Sequence, residues 1–158
     1  MFAQFTAVLT VLAVIRTGES AECPGGWTHY GGSCLVVLMD AVNWYEAKVA
    51  CATVGGQLVE IANADENNFV SNLLKTHGVG YTWIGLEDFL VEGKFVWSSN
   101  GTPPAFTNFH AGQPDDNGHS ADCAIIRDSG AWYDDHCRST HPAVCQRAAN
   151  LGGDEIVG

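Results

Sequence analysis

The sequence predicts an α+β domain, because helical patterns occur early in the chain and short strands occur later. Two segments before residue 80 carry apolar residues at helical spacing. After residue 80 the chain changes to short apolar runs separated by turns, and six cysteines supply cross-links. The long connection over residues 98–122 is rich in Gly, Pro, Asn and Asp, which is typical of a functional loop in a compact domain.

The amino terminus has the composition of a secretory signal. An apolar run over residues 5–15 is too short to span a bilayer, and small residues follow it at positions 18, 20 and 21. We therefore expect residues 1–20 to be a signal peptide, residues 21–147 to form one domain, and residues 148–158 to be a flexible tail. No second apolar run is long enough for a membrane anchor, so the sequence predicts a secreted, extracellular protein that does not insert into membranes.

The first half of the chain contains the predicted helices. The segment between Cys23 and Cys34 is rich in turn residues and compatible with a small hairpin. Asn43 and Glu46 have the spacing of a capping box that starts the first helix, and glycines at 55 and 56 end it. A short strand over residues 57–61 and a second helix over residues 65–75, ended by Gly78, are expected next.

The second half contains most of the predicted strands. They cover residues 82–86, 94–97, 124–127, 130–134 and 143–146. The five tryptophans of the chain lie in predicted helices, strands or the entry segment, so we expect them in the core.

The charge balance excludes some partners and favours others. The formal net charge is −11 at pH 7, which repels nucleic acid and anionic membrane surfaces and suits divalent cations. An even number of cysteines in a secreted chain implies disulfides, although six cysteines allow fifteen pairings. No Cys-x-x-Cys pair and no motif of a catalytic nucleophile is present, so the sequence predicts a binding protein and not an enzyme.

The long loop and the segment after it are dense in oxygen ligands. Residues 113–122 supply several carboxylate and amide side chains, and Asp134 and Asp135 stand just before Cys137. Calcium takes about six to eight oxygen ligands of these kinds. The histidines at positions 110, 119 and 136 match no usual zinc spacing. The pattern therefore indicates a calcium-assisted binding surface.

Several short motifs together resemble the C-type lectin domain, the C-type carbohydrate-recognition domain, from Cys23 to about Arg147. They are Trp83-Ile84-Gly85-Leu86, Glu92-Gly93-Lys94-Phe95-Val96-Trp97, Gln113-Pro114-Asp115, Trp132-Tyr133-Asp134 and the order of the cysteines. The resemblance implies an α+β lectin-like fold with two helices flanking small antiparallel sheets and a long ligand-binding loop. It also implies the long form of the domain, with disulfides Cys23–Cys34, Cys51–Cys145 and Cys123–Cys137.

The resemblance also implies how a ligand binds. In the family, two adjacent sugar hydroxyls complete the shell of a loop-bound calcium and bond to the side chains that hold it. Here Gln113, Asp115 and Asp134 would hold calcium and sugar around a cis Pro114. Amide followed by acid is the galactose-type order, because only the amide can donate a hydrogen bond. Tyr133 and His119 are expected to support the sugar.

A second set of acidic residues resembles the auxiliary calcium site of the family. It consists of Asp88, Glu92, Asp116 and Asp122. Carboxylates held together without an ion would repel one another, so a bound cation is the simpler interpretation. This set would order the loop more than it would contact the ligand.

The chain departs from the family pattern at three places. Ala121 stands where a calcium-binding glutamate precedes Asp122-Cys123, and Tyr133 stands where the Trp132–Asp134 motif has asparagine. Residues 116–117 do not supply the tryptophan that galactose binders often carry. These changes remove two calcium ligands, which Asn117, Asp122 or Asp135 would have to replace.

The sequence leads to one main hypothesis and two alternatives. The main hypothesis is a secreted lectin that binds terminal sugars on glycoconjugates or microbial surfaces, with Ca²⁺ as cofactor, in innate immune recognition or agglutination. Galactose or N-acetylgalactosamine is the first expectation for the sugar, and mannose is the second. A homodimer or higher oligomer would supply avidity. The alternatives are a lectin-like domain for protein or mineral contact without sugar binding, and sugar binding without calcium.

Overall fold

The computed structural model describes residues 22–118 and 120–150. The predicted signal peptide, His119 and residues 151–158 lie outside the described residues. The elements are, in chain order, β1 (Thr28–Tyr30), β2 (Ser33–Val42), α1 (Trp44–Thr53), β3 (Gln57–Leu58), α2 (Ala64–His77), β4 (Tyr81–Glu87), β5 (Val96–Trp97), β6 (Cys123–Arg127), β7 (Trp132–Asp135) and β8 (His141–Ala148).

Both helices begin at asparagine caps. The predicted capping box of α1 is confirmed, since Asn43 Oδ1 accepts from the Glu46 amide at 3.0 Å and Glu46 Oε2 accepts from the Asn43 amide at 3.1 Å. Helix α2 starts one residue earlier than predicted, because Asn63 Oδ1 accepts from the Glu66 amide at 2.9 Å. Gly78 ends α2 in the left-handed conformation, at φ 67°.

The strands join into one sheet instead of several small ones. Its order is β1-β2-β8-β4-β6-β7, with β3 paired to β8 and β5 paired to β4. The pairs are antiparallel except β4–β8, which meet in parallel at Trp83 and Ala143. Strand β2 is the main element that the sequence did not predict. Its first half, Leu35 to Leu38, is a continuous apolar run without the alternation that identifies a half-exposed strand.

The core lies between the sheet and the two helices, and most of the tryptophans are in it, as predicted. Trp44, Trp83, Trp97 and Trp132 are buried, and Trp27 packs partly buried against the same core. Buried indole N–H groups need acceptors. Trp83 Nε1 donates to the Val42 carbonyl at 2.8 Å, and Trp132 Nε1 donates to Asn67 Oδ1 at 2.7 Å. These bonds fix the strands that border the long loop.

The three disulfides have the pairing that the resemblance implies. Cys23 bonds to Cys34, Cys51 to Cys145 and Cys123 to Cys137. The second joins α1 to β8. The third joins the start of β6 to the chain just after β7, and so closes the base of the long loop.

The flexible tail expected from Ala148 does not include its first three residues. Ala148 belongs to β8, and the Ala149 amide donates to the Gly32 carbonyl at 2.9 Å. Asn150 and Glu22 form an isolated bridge with amide-to-carbonyl distances of 3.0 and 3.1 Å. Described residues at the two ends of the domain therefore lie together.

Candidate functional site

The long loop is anchored along strand β7. The His110 amide donates to the Trp132 carbonyl, and the Trp132 amide donates to the Asn108 carbonyl, both at 2.9 Å. The rings of Phe106 and Phe109 pack edge-on against Trp132, each with a centroid distance of 5.7 Å. This anchor brings Gln113 and the residues after it beside the end of β7.

Asp134 holds the next part of the loop. Its carboxylate accepts hydrogen bonds from the Asp115 amide at 3.0 and 3.1 Å and from the Asp116 amide at 2.6 Å. Gln113 Oε1 accepts from the Asp134 amide at 3.3 Å, and the Gln113–Pro114 bond is cis, as the resemblance implies. The structure thus brings together Gln113, Asp115 and Asp134. The side chain of Asp115 remains exposed.

The backbone of Asp116 explains why two successive amides face one carboxylate. Asp116 has φ 45°, in the left-handed region that aspartate tolerates better than most residues. Successive amides in such a turn form a concavity that binds negative charge. In this protein the negative charge inside the concavity belongs to Asp134.

The Tyr133 side chain makes its contacts on the face of β7 opposite to the Asp134 carboxylate. Successive residues of a strand point to opposite faces, so Tyr133 and Asp134 project to different sides of β7. The Tyr133 ring stacks on His110, with centroids 5.2 Å apart and planes 16° apart, and meets Tyr81 edge-on at 6.4 Å. A side-chain hydrogen bond with Tyr133 is the largest cause of a raised pKa of Arg127. The sequence did not predict this stacking of His110, a residue of the long loop, on Tyr133.

The auxiliary acidic set is centred on Asp88, whose side chain is only 2% exposed. Its Oδ2 accepts from the Gly93 amide at 2.7 Å, its amide donates to the Asp122 carbonyl at 3.1 Å, and its buried Oδ1 has no hydrogen-bond partner. Burial is the largest cause that raises the pKa of Asp88 to about 6. The Gly93 hydrogen bond opposes the rise, and the charges of Glu92 and Asp122 add to it.

The two predicted metal sites, one at Gln113, Asp115 and Asp134 and the other around Asp88, differ in how well their side chains fit a metal ion. Over residues 22–118 and 120–150, no group of three or more acidic, histidine or cysteine side chains is arranged to hold one. Asp88 nevertheless has the chemistry of a cation ligand, because a buried carboxylate oxygen without a partner is costly. The Asp134 oxygens already accept from loop amides, and Ala121, where the family has a glutamate, is buried.

Asp135 does not replace a missing calcium ligand. His141 Nε2 lies 2.6 Å from its Oδ2, while Ser139 Oγ and the His136 amide donate to its Oδ1 at 3.1 and 2.7 Å. Burial would raise the pKa of Asp135, but these hydrogen bonds outweigh it and lower that pKa. The His141 ring packs edge-on against Trp83 at 4.7 Å, so Asp135 serves to hold β7 against β8.

Replacing His141 with phenylalanine tests this role. The variant keeps a ring against Trp83 but removes one bond to Asp135, so we expect the free energy of unfolding at pH 7 to fall by about 1–3 kcal/mol. A carboxylate with a lowered pKa stabilises the fold above its unfolded pKa of about 3.9, and that contribution is lost as the pH falls through the folded value. The difference between variant and wild type should therefore shrink in urea melts at pH 3. His29→Phe on β1 is the control; an equal loss in both variants contradicts the role of Asp135.

This fold and this loop define a disulfide-linked α+β binding domain. Its long loop presents amide and carboxylate groups at the edge of the sheet, and the carboxylate of Asp88 is buried just after β4. No helix of the described residues is long and apolar enough to cross a membrane.

Comparison with known proteins places the chain in a family. A family model described as the lectin C-type domain matches residues 40–147. The low affinity immunoglobulin epsilon Fc receptor of Mus musculus is 36% identical over 145 residues, 90% of this chain and 43% of the receptor. The galactose-specific lectin nattectin of Thalassophryne nattereri is 31% identical over 150 residues, 93% of this chain and 94% of nattectin. The chain belongs to the C-type lectin domain family.

A solved structure agrees with this assignment. The cow C-type carbohydrate-recognition domain of CD23, determined in the presence of a GlcNAc2Man3 oligosaccharide, has a TM-score of 0.76 and 32% identity. The match covers 83% of this chain and 99% of that domain. The chain spans less than half the length of the mouse receptor but almost all of nattectin. The family is one of carbohydrate-recognition domains and not of enzymes, which confirms the binding class that the sequence predicts.

Proposed function

We propose that this protein is a secreted lectin that binds galactose or N-acetylgalactosamine, and mannose more weakly, with the help of calcium. The observation that carries the proposal is the hydrogen bonding that holds Gln113 and Asp115 of the long loop beside Asp134 of β7 at the edge of the sheet. Membership of a carbohydrate-binding family and the similarity to a galactose-specific lectin support it.

The three side chains have different roles in this proposal. The Gln113 amide can both donate to and accept from sugar hydroxyls, whereas the exposed Asp115 carboxylate only accepts. Asp134 holds the loop amides in place, so its first role is to position the other two. His110 is part of the turn that precedes Gln113, because the Gln113 amide donates to the His110 carbonyl at 2.8 Å. Its ring stacks on Tyr133 of β7. His119 remains a proposed sugar contact.

Calcium is proposed at both ligand sets, with different support. Asp88, Glu92, Asp116 and Asp122 are not grouped for a metal ion in this structure, so they would have to move together to hold the auxiliary ion; the buried Oδ1 of Asp88 favours a cation there. Gln113, Asp115 and Asp134 would hold the second ion. Calcium, when bound, supplies positive charge that offsets repulsion among the carboxylates and open positions for sugar hydroxyls.

Secretion and oligomerisation complete the proposal. Residues 1–20 would be removed, and a homodimer or higher oligomer would raise the avidity of weak single sites for glycoconjugates or microbial surfaces. Innate immune recognition or agglutination is the corresponding biological role.

Chromatography on immobilised sugars tests the function directly. We expect the protein to bind galactose-agarose in calcium buffer, to elute with free galactose at concentrations at least about fivefold lower than with mannose, and to elute with EDTA. The reason is the amide-then-acid order at Gln113 and Asp115.

Three other results would each point elsewhere. Retention in EDTA with elution by galactose would show sugar binding without calcium. Elution by mannose at lower concentrations than galactose would reverse the specificity. Failure to bind any immobilised sugar, with and without calcium, would contradict the lectin proposal and favour contact with protein or mineral.

A further inference from the structure

A cavity of about 650 Å³ lies beside the proposed sugar loop. One wall comes from the turn between β4 and β5, and the other comes from the long loop. Its apolar wall includes Leu90, Val91, Phe95, Pro103, Phe109 and Pro114. The volume is within the range of small-molecule binding sites, about 300–1,000 Å³.

The rim of the cavity is unusually apolar for an exposed surface. Leu90 is 90% exposed and Val91 is 50% exposed, and both lie on the turn that borders the cavity. The prolines of the wall have no amide N–H, and the carboxylate of Glu87, the acidic residue of the wall, accepts from the Phe89 amide at 2.8 Å. The wall therefore favours an occupant held by apolar contact over one that needs hydrogen bonds.

The position of the cavity links it to the sugar loop. Pro114 lines the cavity and directly follows Gln113. On the other side, Gly93 lines the cavity and its amide donates to Asp88. A ligand whose head group contacts Gln113 would meet the cavity at the next residue of the chain.

The charge of the protein restricts the polar end of such a ligand. The chain carries a net charge of −11, and Glu87, Glu92 and Asp115 lie on the segments that form or adjoin the cavity. Lys94 is the cationic residue of the wall, but these three carboxylates outnumber it, so a fatty-acid carboxylate or a phospholipid phosphate would meet net repulsion there. A neutral sugar would not.

We propose that this cavity binds the alkyl chain of a neutral glycolipid whose sugar occupies the Gln113–Asp134 site. The inference rests on the proposed function for the sugar and adds the lipid part of the ligand. It assigns recognition of the alkyl chain to Leu90 and Val91, and to the proline and phenylalanine side chains opposite them.

Isothermal titration calorimetry with three ligands tests the proposal, each below its micelle-forming concentration. They are methyl β-galactoside, octyl β-galactoside and the octyl ether of tetraethylene glycol, which has the chain but no sugar. Each fully buried methylene can raise affinity by about fourfold. We therefore expect octyl galactoside to bind at least about tenfold more tightly than methyl galactoside.

Two variants of the cavity and one control variant test whether the alkyl chain of the ligand binds in the cavity. Leu90→Ser/Val91→Ser should reduce the octyl advantage to less than about threefold and leave methyl galactoside affinity unchanged. Thr107→Trp, which puts bulk into the cavity wall, should do the same by filling the space. Val49→Ser changes an apolar side chain that is 65% exposed on α1 and should keep the full advantage.

The outcomes separate this proposal from the proposed function. Equal affinities for the two galactosides in the wild type would overturn the alkyl site and leave the sugar site standing, and an octyl advantage that survives both cavity variants would also overturn it. If only the sugar-free ether binds, through Leu90 and Val91, the galactose proposal fails while the alkyl site holds. Self-association in sedimentation that Leu90→Ser/Val91→Ser abolishes would assign the cavity to a second copy of the chain and overturn the lipid.

Discussion

Replacing Asp88 with asparagine is expected to stabilise the calcium-free protein at pH 7 and to remove the stabilisation that calcium would provide at the proposed auxiliary site. The Asp88 carboxylate is buried, one of its oxygens has no hydrogen-bond partner, and its pKa is raised to about 6. Ionising it in the folded protein is therefore unfavourable. Asparagine carries no charge, and its amide can donate to the neighbouring carboxylates of Glu92 or Asp122.

The pH dependence follows from the direction of that pKa change. Between the unfolded pKa near 3.9 and the folded value of about 6, the folded protein binds more protons than the unfolded chain. The contribution to stability is thus full at low pH and is lost as the pH rises through 6. Since each pKa unit is worth about 1.4 kcal/mol, the loss above pH 6 is at most about 3 kcal/mol.

Thermal and urea unfolding in EDTA and in calcium measure this effect. In EDTA, Asp88→Asn should exceed the wild type by up to about 3 kcal/mol at pH 7 and by nearly nothing at pH 4. In millimolar calcium the wild type should gain stability and the variant should not. Asp40→Asn, an exposed position on β2, is the matched control and should respond to calcium as the wild type does. A variant that is less stable than the wild type in EDTA at pH 7 would contradict a costly buried charge at Asp88.

The parts of the fold that the sequence predicts are those set by local chemistry or by the family resemblance. The α1 capping box depends on residues three apart, and the left-handed end of α2 depends on one glycine. The disulfide pairing could not be obtained from spacing, because six cysteines allow fifteen pairings; the resemblance supplied it. Strand β2 was missed because its partner is β8, more than a hundred residues away, and its apolar run has no period of its own.

The candidate site shows the same division. The motif Gln113-Pro114-Asp115 and the residue Asp134 are visible in the sequence, and the structure brings them together. The local pattern does not show that Asp135 bonds to His141, or that His110 stacks on Tyr133. Those partners come from neighbouring strands and from the anchored loop, so only the folded chain identifies them. The buried Asp88 Oδ1 without a hydrogen-bond partner also results from packing, and the spacing of residues in the sequence does not predict it.

Replacing Asp134 with alanine is expected to reduce galactose affinity at least about a hundredfold. The Asp134 carboxylate accepts from the amides of Asp115 and Asp116, and without it the loop that carries Gln113 and Asp115 loses its attachment to β7. Hydrogen bonds to a charged group contribute about 1.5–3 kcal/mol each, and two of them correspond to a hundredfold or more in affinity. Stability should fall less, because β6–β7 pairing and the Cys123–Cys137 disulfide remain.

Two further variants separate the positioning role of Asp134 from its charge. Asp134→Asn keeps one acceptor oxygen of the same size, so we expect it to retain part of the affinity, between alanine and wild type, in titrations with methyl β-galactoside. Asp128→Ala, in the turn after β6, should bind as the wild type does, because it leaves the loop attachment in place. If calcium contributes at this site, the loss in Asp134→Ala should be larger in calcium than in EDTA, since only the calcium-bound wild type has that additional affinity to lose. Galactose affinity within about threefold of the wild type in Asp134→Ala would show that this loop does not bind the sugar, because a loop detached from β7 cannot hold Gln113 and Asp115 in a fixed arrangement.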